Sequence, residues 1–594
     1  MGIILNNFGE LYFHKQQFQT AIHYLNEAYE VKNRTKHPSY SSIAVTLRAL
    51  GEVYLADNRW AEAETYITRA LQEARRSQTG VFDTVVLASI YDLQGNLLAK
   101  QGRLPEAAAA FENAVDGIET ELADLKSHHW KTSLLSSSQD HFHNLILLNH
   151  ARLNNPVAAF EVAEKARARA FLDLVGGQIG FEYGEQLANA TRTIKDVLST
   201  VNAQPFTWAE LRRKLPPTIT VVEYTMTENQ LLIWVLNSEG LRSRAVALSR
   251  EQLDRLVDDF RIAVTLSNSD FKARFSGWKA SLEETQRRAS ELYRRLIAPI
   301  KNLLPLDRLV CFVPDGGLYY VPFAALVDPA TQKYLVEEYT IFYAPSASIL
   351  ARSLEMQRQK PSATPLLMIS NPAMGRKALK QFRYLQPLVD AEGFDDQIAH
   401  LFKGSGFLRA AAATKSAVRA AMPNYEIVHF SAHGVLNDQE PLLSALVLAE
   451  EIGPGGLLPV KQAETVVSED NGLLYTHELF TLSLPKTRLL VLSACETALG
   501  RLWGGEGMVG MARAVFYAGV PSLIATQWKV ADGPTGQLMV AFCQELRAGA
   551  TIAGALAQAQ RDYLQKSTQP ERRHPYYWGG FCLMGSYYLR GNHR

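Results

Sequence analysis

Two short apolar segments of the sequence each end next to a side chain that can do chemistry. Residues 425–431 are followed by His433 and Gly434, and residues 487–494 are followed by Cys495. Both segments are rich in β-forming residues and bounded by turn residues, which is typical of buried parallel strands. Because ligands bind at the carboxyl edge of an open α/β sheet, we expect an imidazole and a thiol to meet there.

A thiol and an imidazole at that edge would support nucleophilic catalysis. Only the thiolate is a good nucleophile, and an imidazole about one hydrogen bond away can take the thiol proton near neutral pH. A lone cysteine or histidine at a strand end is usually structural, whereas the two together at adjacent strand ends favour catalysis. We therefore predict a cysteine peptidase site, with Cys495 as nucleophile and His433 as general base and then general acid.

Composition and the other cysteines describe an ordinary globular protein. The 594 residues carry 61 basic and 60 acidic side chains, so no net field attracts nucleic acid or an anionic membrane. Four cysteines are too few for a disulfide framework, and Cys311, Cys543 and Cys582 lie in apolar runs, where we expect buried packing residues. With no secretory signal and no apolar run of about 18 residues, the sequence predicts a cytoplasmic protein.

Residues 1–175 carry an internal repeat built on small side chains. Three glycines are each followed, 12, 16 and 19 residues later, by an alanine, a bulky apolar residue and a second alanine. The sets are Gly9 with Ala21, Leu25 and Ala28; Gly51 with Ala63, Ile67 and Ala70; and Gly95 with Ala107, Phe111 and Ala114. This is the tetratricopeptide pattern, in which closely packed helices admit only small residues at their contact.

The ends of this repeat region are less regular. Ala159, Ala163 and Ala166 indicate a weaker fourth unit. Because Met1 falls inside a helical pattern without a cap, we expect the solenoid to be cut short at its N-terminus. Unrelated amphipathic helices with chance spacing are the alternative to a repeat.

After residue 175 the pattern changes to alternating strands and helices. The glycine-rich stretch 176–184 indicates a hinge within a linker over 176–204, and the polar stretch 353–365 a boundary between an α/β lobe at 205–360 and a second at 361–594. We expect a mostly parallel sheet with helices on both faces. Besides the two segments above, the predicted strands are 219–224, 231–236, 309–314, 366–370, 520–527 and the apolar run 578–584. The predicted helices are 251–266, 281–297, 390–402, 415–421, 507–518 and 535–547.

Several short motifs carry a resemblance to a known family. Residues 429–434 read His-Phe-Ser-Ala-His-Gly, and residues 492–500 read Leu-Ser-Ala-Cys-Glu-Thr-Ala-Leu-Gly. With the matching segments they resemble the CHAT family, caspase-like domains that are attached to tetratricopeptide repeats and are related to separase and caspases. Those segments are 313–316, 321–326, 505–510, 527–532 and 574–578, and the resemblance covers about residues 205–590. One departure is Ala531, where members often carry the first of two acids.

The resemblance implies a fold and a set of roles. It implies that residues 205–360 form a catalytically inactive caspase-like lobe, packed on a catalytic caspase-like lobe at 361–594. It places the two oxyanion donors on the backbone N–H groups of Gly434 and Cys495, and it assigns no third catalytic side chain. From the residues alone, a plain turn glycine is the alternative role of Gly434.

The same resemblance implies a regulated cysteine endopeptidase, often in a prokaryotic defence or cell-death system. Its tetratricopeptide-like repeats would dock a regulatory protein or a protein substrate. A long connection at 437–471, between the two catalytic strands, is typical of a lid or switch. The competing interpretation is a non-catalytic scaffold for protein–protein interaction, against which the intact pair of His433 and Cys495 argues.

The substrate pocket is predicted beside the strand that follows Cys495. Caspase-fold enzymes read the residue before the cut there, and in this sequence that strand leads into Trp528, Lys529 and Asp532. Asp532 would pair with a basic substrate residue, partly offset by Lys529, whereas Trp528 would wall an apolar pocket. We favour a basic preference slightly. Alternatively, Asp532 caps the helix that begins near Pro534.

No metal ion or cofactor is expected. His429 lies four residues before His433, but on a strand the two would be about 13 Å apart, too far to share one zinc ion. Residues 505–510 match G-x-G-x-x-G, yet the tight strand-to-helix turn and the following acid of a dinucleotide site are both missing. The sequence also has no phosphate-binding G-x-x-x-x-G-K-[ST] and no G-x-S-x-G elbow of serine hydrolases.

Overall fold

The computed structural model divides the chain into two compact units. It describes residues 1–35, 38–77, 81–124, 128–167, 204–265, 278–305, 309–382, 385–437, 443–451, 471–493, 501–503, 507–509, 511–567 and 569–590. The first unit contains Met1–Ala166, and the second begins at Arg167 and contains the described residues that follow it. In these ranges no helix combines the length and apolar character needed to cross a membrane.

The first unit consists of helices that pack in consecutive pairs, α1 with α2, α3 with α4 and α5 with α6. Its described helices are α1 (Gly2–His14), α2 (Phe18–Asn33), α3 (Tyr40–Ala56), α4 (Trp60–Ser77), α5 (Val81–Lys100), α6 (Leu104–Asp124), α7 (His128–Ser137), α8 (Gln139–Leu147) and α9 (Pro156–Ala166). Helix α8 continues into a π-helical turn, Leu148–Arg152.

Small residues let these paired helices approach closely. In each of the three pairs a glycine of the first helix meets the bulky residue of the second, and no space is left for a β-carbon. With the distance from an ideal β-carbon, the contacts are Gly9–Leu25 (2.5 Å), Gly51–Ile67 (2.9 Å) and Gly95–Phe111 (2.6 Å). The repeat predicted from the spacing of these residues is confirmed in the packing, and Ala159, Ala163 and Ala166 are buried in α9.

The second unit is built, in its described part, on an 11-stranded sheet. The strands of this sheet and of two smaller ones are β1 (Ile219–Met226), β2 (Gln230–Asn237), β3 (Gly240–Ala247), β4 (Leu309–Val313), β5 (Thr340–Tyr343), β6 (Thr364–Ser370), β7 (Gly406–Arg409), β8 (Tyr425–Ser431), β9 (His433–Val435), β10 (Ala445–Val447), β11 (Leu473–Tyr475), β12 (Leu489–Ser493), β13 (Arg501–Trp503), β14 (Gly507–Val509), β15 (Ser522–Thr526) and β16 (Phe581–Gly585). The order in the large sheet is β3-β2-β1-β4-β5-β16-β15-β12-β8-β6-β7.

Neighbouring strands of the large sheet are mostly parallel, as predicted. The antiparallel neighbours are β1 with β2, β2 with β3, and β15 with β16. The strands of residues 219–343 meet those of residues 364–585 where β5 lies beside β16, through the pair Tyr343 and Met584. A single sheet therefore runs through both predicted lobes.

Helices surround the sheet at the positions where the sequence alternates between strand and helix. Those described are α10 (Trp208–Lys214), α11 (Arg250–Thr265), α12 (Trp278–Leu296), α13 (Leu335–Glu338), α14 (Ala347–Gln359), α15 (Arg376–Gln381), α16 (Val389–Leu401), α17 (Lys415–Ala421), α18 (Thr476–Leu479), α19 (Met511–Tyr517), α20 (Asp532–Arg547) and α21 (Ile552–Lys566). Helix α16 packs against α20 and β6, and α20 packs against α21.

Several described elements differ from the sequence prediction, and β3, α21, α14 and β14 are examples. The prediction omits β3 because this edge strand carries exposed charges, which hide its alternation. It also omits α21, although one face of this helix is buried. The stretch predicted as a polar boundary, 353–365, is largely the end of α14, with Leu354 and Gln357 buried. Residues 507–509 form β14, paired with β13, and α19 begins only at Met511.

Candidate active site

The carboxyl ends of three adjacent strands are held in register at one edge of the large sheet. Strand β8 pairs in parallel with β12 on one side, where Ser431 lies opposite Ser493. It pairs with β6 on the other side, where Ser431 lies opposite Ser370. The long apolar stretches of these strands are buried, so the register is fixed by packing as well as by hydrogen bonds. Three serines thus form a row across the edge.

His433 follows this edge by two residues and begins a different sheet. Strand β9, which contains His433 and Gly434, pairs antiparallel with β10, and β10 pairs with β11. In this ladder His433 lies opposite Val447 and Gly434 opposite Leu446. The chain therefore passes from the large sheet to a three-stranded sheet at Ala432, and the imidazole lies at the junction.

A backbone carbonyl orients the His433 ring. The Nε2 atom of His433 is 2.6 Å from the carbonyl oxygen of Gln386. A carbonyl oxygen can only accept, so this contact assigns the proton of the neutral imidazole to Nε2 and leaves a lone pair on Nδ1. The sequence analysis did not identify this partner. Every residue carries the same backbone carbonyl group, so no residue type indicates that it will bind a histidine ring.

Asn371 holds the segment that carries this carbonyl. Its backbone N–H donates to the Ser431 carbonyl at 2.9 Å, directly after β6 ends. Its side-chain oxygen accepts from the Leu388 N–H at 3.0 Å, and its side-chain nitrogen donates to Glu392 at 2.8 Å. Asn371 adopts a φ of 40°, a left-handed conformation that asparagine tolerates better than most residues. The Gln386–Leu388 turn is thereby tied to the end of β6.

A buried polar cluster lies beneath the row of serines. The Ser370 hydroxyl donates to the Asp395 carboxylate at 2.6 Å, and Ser431 also hydrogen-bonds this carboxylate. Burial raises the pKa of Asp395 to about 7, and the two hydroxyl bonds oppose that rise. His429 lies on β8 with Ser431, and its Nε2 atom is 2.8 Å from the hydroxyl of Ser493 on the neighbouring strand β12.

His429 is a strand residue of β8, as predicted, and it is fully enclosed. Burial lowers the pKa of His429 to about 4, so its imidazole is neutral at physiological pH. It lines a small cavity together with Asp395, Ser493 and His433. Among the described residues, no group of three or more histidine, cysteine or acidic side chains could hold a metal ion.

A second cavity lies on the other side of His433. It is lined by His433, by residues that follow β6 and β7, by the turn before α16 and by β10. Seven of its nine lining residues are apolar, namely Pro372, Ala373, Met374, Pro387, Leu388, Ala410 and Val447, and the other two are Asn371 and His433. The imidazole of His433 therefore lines both cavities, and only the first contains an acidic side chain.

The predicted nucleophile, Cys495, and with it its predicted oxyanion N–H, lies outside the described residues, which end at Ser493 and resume at Arg501. The other cysteines occupy the positions expected of packing residues. Cys311, Cys543 and Cys582 are buried free thiols. Burial raises the pKa of all three, that of Cys582 to about 12, so none is a thiolate at neutral pH.

Two of the residues predicted for the substrate pocket, Trp528 and Lys529, differ in their exposure. Trp528 is buried, and its indole N–H donates to the carbonyls of Tyr576 at 3.0 Å and Arg573 at 3.1 Å. Lys529 is exposed. Helix α20 begins at Asp532, and Ala531 occupies its N-cap position.

Val530, which was not predicted, contributes to the cavity that contains Asp395 and His429. Residues 527 and 528 form a bend after β15, so the regular alternation of a strand does not continue there and does not predict that Val530 reaches this cavity.

Curated relatives of this chain are long proteins. Tetratricopeptide repeat protein 28 of Mus musculus is 29% identical over 330 residues, which cover 50% of this chain and 13% of that protein. The protein of the same name from Homo sapiens is 27% identical over 330 residues with the same coverage. This chain therefore spans only 13% of the length of these relatives.

Two solved structures align with the chain at low similarity. The separase–securin complex of Saccharomyces cerevisiae aligns with a TM-score of 0.48 and 10% identity, covering 98% of this chain and 53% of that chain. BtubC from P. vanneervenii aligns with a TM-score of 0.23 and 16% identity, covering 28% of this chain and 61% of that chain.

Two family models match the chain, one in each unit. The Tetratricopeptide repeat model matches residues 1–76, within the predicted solenoid. The CHAT domain model matches residues 286–586, which are 301 of the 594 residues and include the strands of the candidate site. Because that match covers more than half of the sequence, this chain belongs to the CHAT domain family.

Proposed function

We propose that this chain is a cysteine endopeptidase in which Cys495 is the nucleophile and His433 its base. The register of β8 and β12 carries the proposal. Ser431 and Ser493 are paired neighbours, and His433 and Cys495 each follow their serine by two residues. Paired parallel strands are about 4.8 Å apart, and two residues of chain span at most about 7 Å, so the two side chains are within reach of each other.

The bond between His433 and Gln386 supports the same assignment. With its proton on Nε2, the imidazole offers Nδ1 as the acceptor for a thiol proton. A backbone carbonyl orients the ring without adding a negative charge to the site. A dyad of this kind needs no acidic third residue, which agrees with the absence of a predicted one.

The reaction then proceeds in two steps. Nδ1 of His433 takes the Cys495 proton, the thiolate adds to the scissile carbonyl carbon, and the backbone N–H groups of Gly434 and Cys495 stabilise the oxyanion. When the C–N bond breaks, the imidazolium gives its proton to the departing amine, which leaves a thioester on Cys495. A water molecule, deprotonated by His433, hydrolyses the thioester and restores the thiol.

A thiol-directed peptide probe tests the proposal within one protein. We expect the probe to label Cys495 and to leave the buried Cys311, Cys543 and Cys582 unmodified, as read by peptide mass spectrometry. Cys495→Ala should abolish peptide cleavage, and His433→Ala should abolish both cleavage and labelling, without unfolding the protein. Cleavage that persists in Cys495→Ala contradicts the proposal, and a Cys495 that stays unlabelled under every activating condition supports the scaffold instead.

The repeats supply the second half of the proposal. Tetratricopeptide repeats are extended protein-binding surfaces, so the first unit is assigned to docking a regulatory protein or the protein substrate. The near-zero net charge gives no reason to add nucleic acid or a membrane as a direct partner. A cytoplasmic location and a place in prokaryotic defence or cell death remain predictions.

A further inference from the structure

The apolar cavity beside His433 has the size and lining of a binding site for one side chain. Its volume is about 200 Å³. A cavity of about 150 Å³ lined by aliphatic side chains binds benzene, so this one can hold a leucine, methionine or phenylalanine side chain. Apart from His433 itself, no lining residue carries a charge or can acquire one. A basic or acidic side chain would find no partner there.

Hydrogen bonds between its walls show that this cavity is formed in advance of binding. The Ala373 N–H donates to the Ala410 carbonyl at 3.1 Å, which joins the segments after β6 and β7. The Asn371 side chain fixes Leu388, and Val447 lies in the ladder opposite His433. A pre-formed pocket needs little reorganisation when it binds, which favours selectivity between side chains.

The strand order shows which part of a substrate can reach this cavity. The large sheet runs β12-β8-β6-β7, and the cavity is built on segments that follow β6 and β7. It therefore lies on the far side of β8 from β12, the strand that leads to Cys495. In the proposed reaction the acyl part of the substrate is bonded to Cys495, whereas His433 protonates the amine that leaves. The segment that leaves is thus the one that passes the cavity.

We infer that this cavity binds an apolar side chain from one of the first two residues after the scissile bond. This inference rests on the proposed function and adds a substrate class to it. The pocket predicted near Trp528 and Asp532 concerns the residue before the bond, so the two sites read opposite sides of the cut. Met374 is half-buried and packs against the cluster that contains Val447, so its long apolar side chain can be replaced to change the lining of the cavity.

The new N-termini of cleaved peptides report the preference directly. The full chain is incubated with a peptide library derived from a proteome, and the products are sequenced by mass spectrometry. We expect leucine, isoleucine, methionine or phenylalanine to be enriched about fivefold or more at the first or second residue of the new N-termini. Met374→Glu should remove that enrichment and favour lysine or arginine there. Leu379→Glu is the matched control, since Leu379 is an exposed apolar residue of nearby α15 and does not line the cavity.

A titration with amino-acid amides tests the cavity without any cleavage, so it remains informative if the isolated chain is inactive. Leucinamide and phenylalaninamide imitate the leaving segment, and their binding is followed through the ring signals of His433, assigned with His433→Gln. We expect each to bind at least about tenfold more tightly than glycinamide or lysinamide, and Met374→Glu to abolish the difference. Equal affinities for all four amides, or cleavage with no side-chain preference on this side, overturn the inference but not the proposed function, which depends on Cys495.

Discussion

His433 receives its orientation from a chain of two contacts rather than from a charged side chain. The Gln386 carbonyl fixes the ring, and Asn371 fixes the turn that contains this carbonyl. Because this carbonyl belongs to the backbone, a shift of the backbone displaces it from the ring. A carboxylate side chain, in contrast, could keep such a contact by changing its rotamer. The activity of the site should therefore depend on Asn371, which is not one of the two residues of the proposed dyad.

Asn371→Gly isolates this effect, because glycine keeps the left-handed backbone and removes only the side-chain bonds. We expect labelling of Cys495 to slow about tenfold, while the free energy of unfolding falls by about 1 kcal/mol. Nitrogen-15 spectra of His433 should change from one fixed Nε2–H tautomer to exchange between tautomers. Asn154→Gly is the control, since Asn154 has a φ of 50° in the first unit. Unchanged spectra in Asn371→Gly would show that the segment with the Gln386 carbonyl keeps its position without the Asn371 side chain.

Asp395 gives the second unit a pH dependence of known sign. Its pKa is raised to about 7 when folded, chiefly by burial, so the folded state binds more protons than the unfolded state between about pH 4 and 7. The contribution of this group to stability is therefore lost as pH rises through that window, by roughly 4 kcal/mol at most. Nearby Arg409 and Asp396 act on it in opposite directions.

Asp395→Asn removes the titration and keeps an acceptor for the Ser370 hydroxyl. We expect the urea midpoint of the variant to exceed that of the wild type at pH 8, and the difference to shrink by pH 5. Asp390→Asn lies on the exposed side of the same helix, and its urea midpoint should equal that of the wild type at both pH 8 and pH 5. A constant offset for Asp395→Asn across the pH range would mean that this carboxyl does not titrate in the window.

At the scale of the elements, the distance between helices α16 and α20 determines how tightly they enclose the buried polar cluster that contains Asp395. An ideal β-carbon at Gly536 of α20 would lie 2.0 Å from the Phe394 ring of α16, a distance that no real pair of atoms adopts. Both residues line the cavity that contains Asp395 and His433. The glycine is required by this approach and not by its helix, since a helix interior disfavours glycine.

Gly536→Ala should destabilise the second unit by about 1–3 kcal/mol, because it overpacks the contact. Gly533→Ala is a matched control in the same helix, where nothing lies within 4 Å of the added atom. The control should be neutral or slightly stabilising. Replacing Phe394 by leucine should restore part of the stability of Gly536→Ala, as measured by urea denaturation. Equal stabilities of the two alanine variants would exclude the contact as the cause.

The elements also show what a sequence can and cannot predict. Strands β8 and β12 were predicted from their apolar runs, because buried strands require apolar residues. His433 and Cys495 were predicted from their position after these runs, because only a few residue types can act as nucleophile or base. The Gln386 carbonyl has no such signal. Asp395 looks like one acid among several on α16, and only the packing of that helix on β6 reveals that it is buried.

The whole molecule joins a repeat unit to a CHAT unit, and each has its own core. We predict that the purified chain cleaves peptides slowly and that a protein bound to the repeats accelerates the cleavage. Such a protein must bind the active arrangement of the chain more tightly than the resting arrangement. The rate of Cys495 labelling, measured with and without a partner captured on Cys495→Ala, gives the comparison. Full turnover by the purified chain, unchanged when residues 1–175 are deleted, would contradict regulation through the repeats.

Strand β16 occupies the interior of the large sheet, between β5 and β15, although it is formed by residues 581–585. A ribosome therefore completes both flanking strands well before the strand that fits between them. Until then their edges are unpaired and are suitable binding sites for chaperones. The order of synthesis and the order of assembly are opposed in this fold. A nascent chain cannot close its central sheet early, so a peptidase built in this way would acquire its activity only after residues 581–585 have been translated and inserted.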